Sequence, residues 1–375
     1  MQISNVEVAV LDSAVDTASL PAQIGARELD TSSVVVRVHT DKGITGLGES
    51  FYRSKENNRF LAESVKSMSR HIIGKDPENV KLIWHELYLH VKRAGAYGAL
   101  SAIDEALWDI KGKESGKPVY QLLGGQTNEV EAYATFPVDK TAEELIDSAK
   151  WLSEKGFQAM KIGAGFGVEE DRHRIRTIID NIPDDFGLAI DSNTSYSYTD
   201  ATKVAKTASE YEVEWFEEPI AHTDIEGQAE LNRKFTVPIS GYQTHTPHYP
   251  VLDHLKAKAL DIYQPSVDYV GGITGAMRVA TLIEAFDKEL VPHALGPALN
   301  YAASLHVAAA SRQCSLIEFA VLNDDIDDPG QYIAGPYIEN RDAIYVEDGG
   351  TIDPPEDPGL GVRIDEDVFE EYRVD

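Results

Sequence analysis

Leu188-Ala-Ile-Asp191 and Glu214-Trp-Phe-Glu217 are short apolar, β-rich runs that each end on an acid, and Ala159-Met-Lys-Ile162 precedes them with the same character. Runs of four to eight such residues suit buried strands and are too short for free-standing helices. Working outward, the pattern recurs at Glu131–Phe136, Ile239–Ser240, Ile262–Tyr263, Leu290–Pro292 and Leu316–Phe319. Amphipathic helical segments, such as Ala142–Glu154 and Gly275–Phe286, fall between the strands. Successive strand ends are spaced about 20 to 30 residues apart, one strand–helix unit each. Eight such strands fit a closed parallel barrel better than an open sheet. The expected class is therefore α/β, a TIM-type (β/α) barrel of about seven to eight units.

Ahead of the barrel the order differs. Val6–Val10 and Ser33–Val38 read as strands, and Thr40-Asp-Lys-Gly-Ile-Thr-Gly46 joins the second to a third. Leu61–Met68, Val80–Val91 and Leu100–Lys113 then carry apolar residues at helical spacing, the last ending near Gly116-Lys-Pro118. Strands followed by helices indicate an α+β unit. The expected division is an N-terminal capping domain over 1–125, a barrel over 126–328, and an acidic, Pro/Gly-rich segment over 329–375 that packs back on the cap.

With 375 residues and a net charge of -29, the chain lacks the cationic surface that phosphate backbones require, so nucleic acid is excluded as a partner. No apolar run is long enough for a membrane span, and the first residues lack a secretory pattern. The lone Cys314 suits a reducing cytoplasm. Carboxylates are spread along the whole chain, as at Glu169-Glu-Asp171 and Asp324-Asp-Ile-Asp-Asp328. That distribution fits a halophile's cytoplasmic protein, whose self-repulsion is screened by salt.

The chemistry gathers at strand ends. Lys161, Asp191, Glu217, Gln243, His293 and Glu318 stand at or just past the ends of six of the eight strands. Such positions converge on one pocket at the C-terminal face of a barrel. Singly each has an ordinary reading: a strand-end Asp caps a helix, a Lys is solvated, a His packs in a core. Together they exceed what a structural barrel needs. Asp191, Glu217 and Gln243 form an oxygen-donor set suited to Mg²⁺, and no Cys/His cluster has zinc spacing. A cation there would oppose the charge that builds when a proton leaves the carbon next to a carboxylate. Lys161 and His293 are then candidate base and acid on two faces of that carbon, Lys161 with a depressed pKa, and a protonated Glu318 would donate to the enediolate.

These residues resemble the enolase superfamily, in its mandelate racemase/muconate lactonizing enzyme branch. Ala99-Leu-Ser-Ala-Ile-Asp-Glu-Ala-Leu-Trp-Asp-Ile-Lys-Gly112 through Leu123-Gly124 is similar to the family's helix signature. Asp191-Ser-Asn193 with Trp215-Phe-Glu-Glu-Pro219 resembles its first two metal ligands, and Gln264-Pro-Ser-Val-Asp-Tyr-Val-Gly-Gly-Ile-Thr274 with Val291-Pro-His293 its later strands. The resemblance implies Mg²⁺, a small carboxylate substrate, a homo-oligomer, and cap loops near Pro21–Glu28 and Phe51–Arg53 over the barrel mouth. Tyr52, Arg53, Asn193 and His245 are candidate substrate contacts, and His245 is also an alternative ligand or acid.

Three departures steer the reaction. Ala159 replaces the first lysine of the family's Lys-x-Lys, Gln243 replaces a glutamate ligand, and Ser266 stands where the partner Asp of His293 belongs, with Asp268 as a candidate substitute. A histidine without that partner is a better acid than base. One base and one acid suit a dehydratase of an aldonate or aldarate, yielding a 2-keto-3-deoxy acid. The alternatives are a racemase, epimerase or cycloisomerase of the same superfamily, or a binding descendant that has lost catalysis.

Overall fold

The computed structural model describes residues 1–12, 32–51, 55–125, 129–135, 140–246, 250–321, 335–346 and 349–375. Tyr52, Arg53, the Pro21–Glu28 loop and the Asp324–Asp328 run lie outside the described residues. The alternating, β-branched N-terminal runs form an antiparallel sheet of β1 (Ile3–Asp12), β2 (Ser32–Thr40) and β3 (Thr45–Ser50). Val8 pairs with Val36 and Val36 with Gly48, so one apolar face points at the helices. Three helices follow: α1 (Lys55–Ser69), α2 (Val80–Ala94) and α3 (Tyr97–Ser115).

Helix α3 is buried on every side from Gly98 to Ile110, because it runs between the N-terminal sheet and the barrel's helices. Its acids can be buried because each accepts backbone hydrogen bonds from a different neighbour. Asp104 accepts from Thr274 N (2.8 Å), Glu105 from Glu49 N (3.0 Å), and Asp109 from Leu47 N and Leu360 N (2.8 Å each). The helix signature is thus a set of staples. Opposite it, Gly271 and Gly272 sit at φ +95 and +74, and a Cβ on Gly272 would lie 2.6 Å from Asp104 Oδ2. Trp84 Nε1 donates to Gly271 O at 2.6 Å in the same seam.

All eight expected barrel strands form: β4 (Val130–Thr135), β5 (Ala159–Gly163), β6 (Gly187–Asp191), β7 (Phe216–Glu217), β8 (Ile239–Gly241), β9 (Ile262–Tyr263), β10 (Glu289–Leu290) and β11 (Leu316–Ala320). They make one curled parallel sheet in the order β10-β9-β8-β7-β6-β5-β4-β11, and a parallel bridge between Leu290 and Cys314 joins its two edges. β7 and β10 are shorter than the runs at Glu214–Glu217 and Leu290–Pro292 suggest, since only the residues inside the ladder are paired. The C-terminal segment touches both units. β12 (Thr351–Ile352) pairs antiparallel with β4, while Val374 N donates to Val10 O at 2.9 Å and Arg37 bonds Glu366 at 2.8 Å. Among the described residues, no helix is long and apolar enough to cross a membrane.

Inside the barrel the period-two alternation of strands has a plain consequence. Tyr133, Ala159, Ala189, Trp215, Ile262 and Val291, with Leu316 against them, form a closed apolar layer across the lumen. Two residues further along each strand come Thr135, Lys161, Asp191, Glu217, Gln264, His293 and Glu318. The apolar layer is a floor, and the polar layer stands on it.

Candidate active site

Lys161 is the hub of the polar layer. Its Nζ lies 3.0 Å from both carboxylate oxygens of Glu217, 2.9 Å from Glu318 Oε1 and 4.0 Å from Asp191 Oδ2, over the Tyr133 ring at 5.6 Å. Glu217 Oε2 also accepts from Trp215 Nε1 (3.2 Å) and Gln264 Nε2 (2.6 Å). Glu318 accepts from Thr135 Oγ1 (2.8 Å) and Ala294 N (3.0 Å), and His293 Nε2 lies 3.9 Å from its Oε2. Asp191 is the residue of the set nearest the mouth, 18% exposed, and accepts from Asn193 N at 2.8 Å. Asp191 and Glu217 are register partners on adjacent strands.

The electrostatics follow from burying this many charges together. Burial alone would drive Lys161 to lose its proton, but Glu217, Glu318, Tyr133 and Asp191 outweigh it and raise its pKa well above the ordinary value. With the carboxylates as its partners Lys161 holds its proton, and the depressed value expected of a base depends on a cation beside it. Glu318, expected to be protonated, is corrected. Burial would raise its pKa, yet Lys161 and His293 hold it down at about 2, so it accepts hydrogen bonds and has no proton to donate. Glu217 and Asp191 are pushed upward, first by burial and then by neighbouring carboxylates.

Two further expectations change. Asp268 is not on a strand: β9 ends at Tyr263, and Asp268 falls in the short helix Val267–Val270, where it accepts from Ser50 of the N-terminal sheet. His245 stacks on Tyr242 (ring centroids 4.3 Å) and meets His222 and His254 edge-on, a packed aromatic cluster. Burial and its histidine neighbours lower its pKa to about 3, which makes it a neutral ring. Asn193 is exposed at the mouth with φ +46. Gln243 is buried, and its Nε2 donates to Glu218 Oε2 at 2.8 Å.

Sequence reading passed over Thr135, Trp215, Gln264 and Glu218. The first three are legible once the floor is known, because they continue the same alternation. Glu218 is not, since it follows a strand of two residues and its backbone turns to φ +40.

The donor chemistry fits a hard divalent cation. One lysine faces Asp191, Glu217 and Glu318, all oxygen donors, and burial raises Asp191 and Glu217 although Lys161 draws both down. Among the described residues, no three His, Cys, Asp or Glu side chains are disposed together to hold a metal ion. A Mg²⁺ ion can bind through one or two carboxylates with water and substrate completing its shell, so Asp191 and Glu217, register partners on adjacent strands, would be its protein donors.

Residues 5–124 match the mandelate racemase/muconate lactonizing enzyme N-terminal domain, and residues 144–368 match the enolase C-terminal domain-like family. This chain belongs to the mandelate racemase/muconate lactonizing enzyme branch of the enolase superfamily. Within the superfamily it is similar to the D-galactarolactone cycloisomerase of Agrobacterium fabrum, at 32% identity over 100% of this chain and 99% of that protein. The arabinonate dehydratase of Saccharolobus solfataricus is 30% identical over 93% of this chain and 92% of its own length. The crystal structure of the 3,6-anhydro-D-galactonate cycloisomerase from Zobellia galactanivorans superposes with a TM-score of 0.85 at 28% identity, covering 100% of both chains.

Proposed function

We propose that this chain removes the proton α to the carboxylate of a small polyhydroxy acid and expels the oxygen on the β carbon, a sugar-acid dehydration that yields a 2-keto-3-deoxy acid. The observation that carries this reading is Lys161, among the described residues the one lysine set in a ring of strand-end carboxylates above an apolar floor. A Mg²⁺ held by Asp191 and Glu217 would neutralise the carboxylates that now share Lys161 and oppose charge on the substrate's carboxylate oxygens. Lys161, relieved of those partners, is the base for the α-proton. His293 is the acid that protonates the departing oxygen. Ionised Glu318 touches Lys161 at 2.9 Å and lies 3.9 Å from His293, so it sets the two proton-transfer groups relative to each other. The arabinonate dehydratase relative supports the substrate class at 30% identity.

The test is a screen of five- and six-carbon aldonates and aldarates with Mg²⁺, reading the 2-keto product and deuterium exchange at the α carbon. Lys161→Ala should lower turnover by roughly 10²–10⁴-fold. Epimerised substrate with no loss of water would refute dehydration.

A second reading has specific support, because two of the relatives that match over their full length are cycloisomerases. If the β oxygen belongs to a ring, the same proton abstraction and C–O cleavage release no water and give an isomer. Conversion of an anhydro or lactone acid, with the open aldonates left untouched, would select it.

A further inference from the structure

We infer that Glu49, in the N-terminal sheet, is a positioning residue for His293, holding from outside the barrel the loop that carries it. The inference rests on the proposed role of His293 as the acid. His293 lies in the stretch between β10 and the helix Ala298–Ala309. Glu318 fixes one part of that stretch: its Oε2 accepts from Ala294 N at 3.0 Å and lies 3.9 Å from His293 Nε2. The other end is the first turn of the helix, where the leading N–H groups have no partners inside the helix. Pro297 stands at the capping position and its side chain offers no acceptor, so the cap comes from another unit. Glu49 Oε2 accepts from Leu299 N at 3.1 Å, which sets a carboxyl group at the positive end of the helix.

Glu49 is itself held on every side. It is buried on β3, and its Oε1 accepts from Ser33 Oγ at 2.6 Å and from the Tyr337 hydroxyl of the C-terminal segment. Its backbone N donates to Glu105 Oε2 at 3.0 Å, and Glu105 Oε1 accepts from Asn300 Nδ2 at 2.9 Å. Two acids of the N-terminal unit thus grip Leu299 and Asn300, consecutive residues of one helical turn. The loop ahead of them has little room to shift. Gly296 N donates to Ala294 O at 3.0 Å, and a Cβ on Gly296 would lie 2.9 Å from Asn300 Oδ1 and 3.4 Å from Phe51. From Ala294 to Leu299 the chain is pinned by a carboxyl group at each end, Glu318 from inside the barrel and Glu49 from the cap. Releasing the Glu49 end lets the loop relax, and His293, next to Ala294, moves relative to Glu318.

Histidine-selective NMR of the full chain tests this without reference to turnover, the His293 signal being the one lost in His293→Asn. Glu49→Leu, which takes the acceptor from Leu299 N, should move that signal, whereas Glu49→Gln, which keeps an acceptor, should leave it near the parent's. Gly272→Ala loosens the same seam without touching the loop, so it should leave the signal in place. In the aldonate and aldarate screen with Mg²⁺, Glu49→Leu should lower kcat roughly 10–10²-fold, the cost of a misplaced acid, with KM changed by less than about threefold. Circular dichroism establishes that each variant is folded; should Glu49→Leu not fold, Glu49→Asp, which withdraws the carboxyl by one methylene, takes its place with the same expectation. A His293 signal unmoved in the folded variant overturns the inference, as does an equal shift in Gly272→Ala, which would mark a purely structural role. A moved signal with kcat unchanged, or a parent that dehydrates none of the acids, would instead refute the role assigned to His293 and leave its positioning by Glu49 standing.

Discussion

Asp104 gives the sharpest test of how the N-terminal unit is fastened to the barrel. Its carboxyl is buried in the seam beside Gly272, Oδ2 accepts from Thr274 N at 2.8 Å, and Oδ1 has no hydrogen-bond partner among the described residues. Burial raises its pKa from 3.8 to about 7, against the lowering effects of Thr274 and Arg278. A raised folded pKa means the folded state holds a proton that the unfolded state has already lost. The stabilising contribution is present in full below the unfolded value and disappears as pH rises through about 7. Between pH 5 and 8 the folded protein should lose about 3 kcal/mol from this group alone, from two pH units at ~1.4 kcal/mol each. Asp104→Asn removes that dependence while keeping an acceptor for Thr274 N. Other acids titrate in both proteins and cancel in the comparison. For 375 residues an unfolding entropy of about 0.8 kcal/mol/K converts the difference to roughly 3–4 °C. Differential scanning calorimetry should therefore find the variant gaining that much on the parent as pH goes from 5 to 8. A Tm difference that is the same at both pH values would show Asp104 ionised throughout and refute the reasoning.

Gly272→Ala should destabilise by about 2 to 4 kcal/mol, because a Cβ meets Asp104 Oδ2 at 2.6 Å and φ +74 adds backbone strain; denaturant unfolding measures it, and a change under 0.5 kcal/mol would contradict the packing of this seam. Raising KCl from 0.1 M toward 2 M should raise Tm, since a net charge of -29 makes the folded chain repel itself and salt shortens the screening length to about 3 Å near 1 M; a falling Tm would count against that account.

Much of this architecture was legible because strands impose a period of two. The runs ending at Ile162, Asp191 and Glu217 located their strands, and reading the terminal residue of each found Lys161, Asp191, Glu217, His293 and Glu318 in one layer. Charge states were not legible. Whether Lys161 is ammonium or amine depends on Glu217 and Glu318, 56 and 157 positions away in sequence, approaching it together. Asp268 misled for a related reason. Spacing from Gln264 continued the strand, but β9 ends after two residues and the chain turns into a helix against Ser50. His245, weighed as an alternative ligand or acid two residues beyond Gln243, packs in an aromatic cluster just after the φ of +86 at Tyr242, and its lowered pKa disfavours the acid role.

The loss of a lysine at 159 now has a structural meaning. Position 159 belongs to the apolar floor, where Ala159 shares the layer with Trp215 and Tyr133, whose rings meet edge-on at 5.0 Å. An ammonium in that layer would be buried below the carboxylates, among apolar and aromatic groups, at a large desolvation cost. With alanine there, the floor is apolar and Lys161 is the ring's one lysine among the described residues. Proton delivery then comes from unlike groups: an amine on β5 and an imidazole just past β10, with Glu318 between them. A racemase must accept a proton on one face and return one on the other with bases of comparable strength. An elimination needs one group to take a proton from carbon and another to give one to oxygen, which is the asymmetry these residues present.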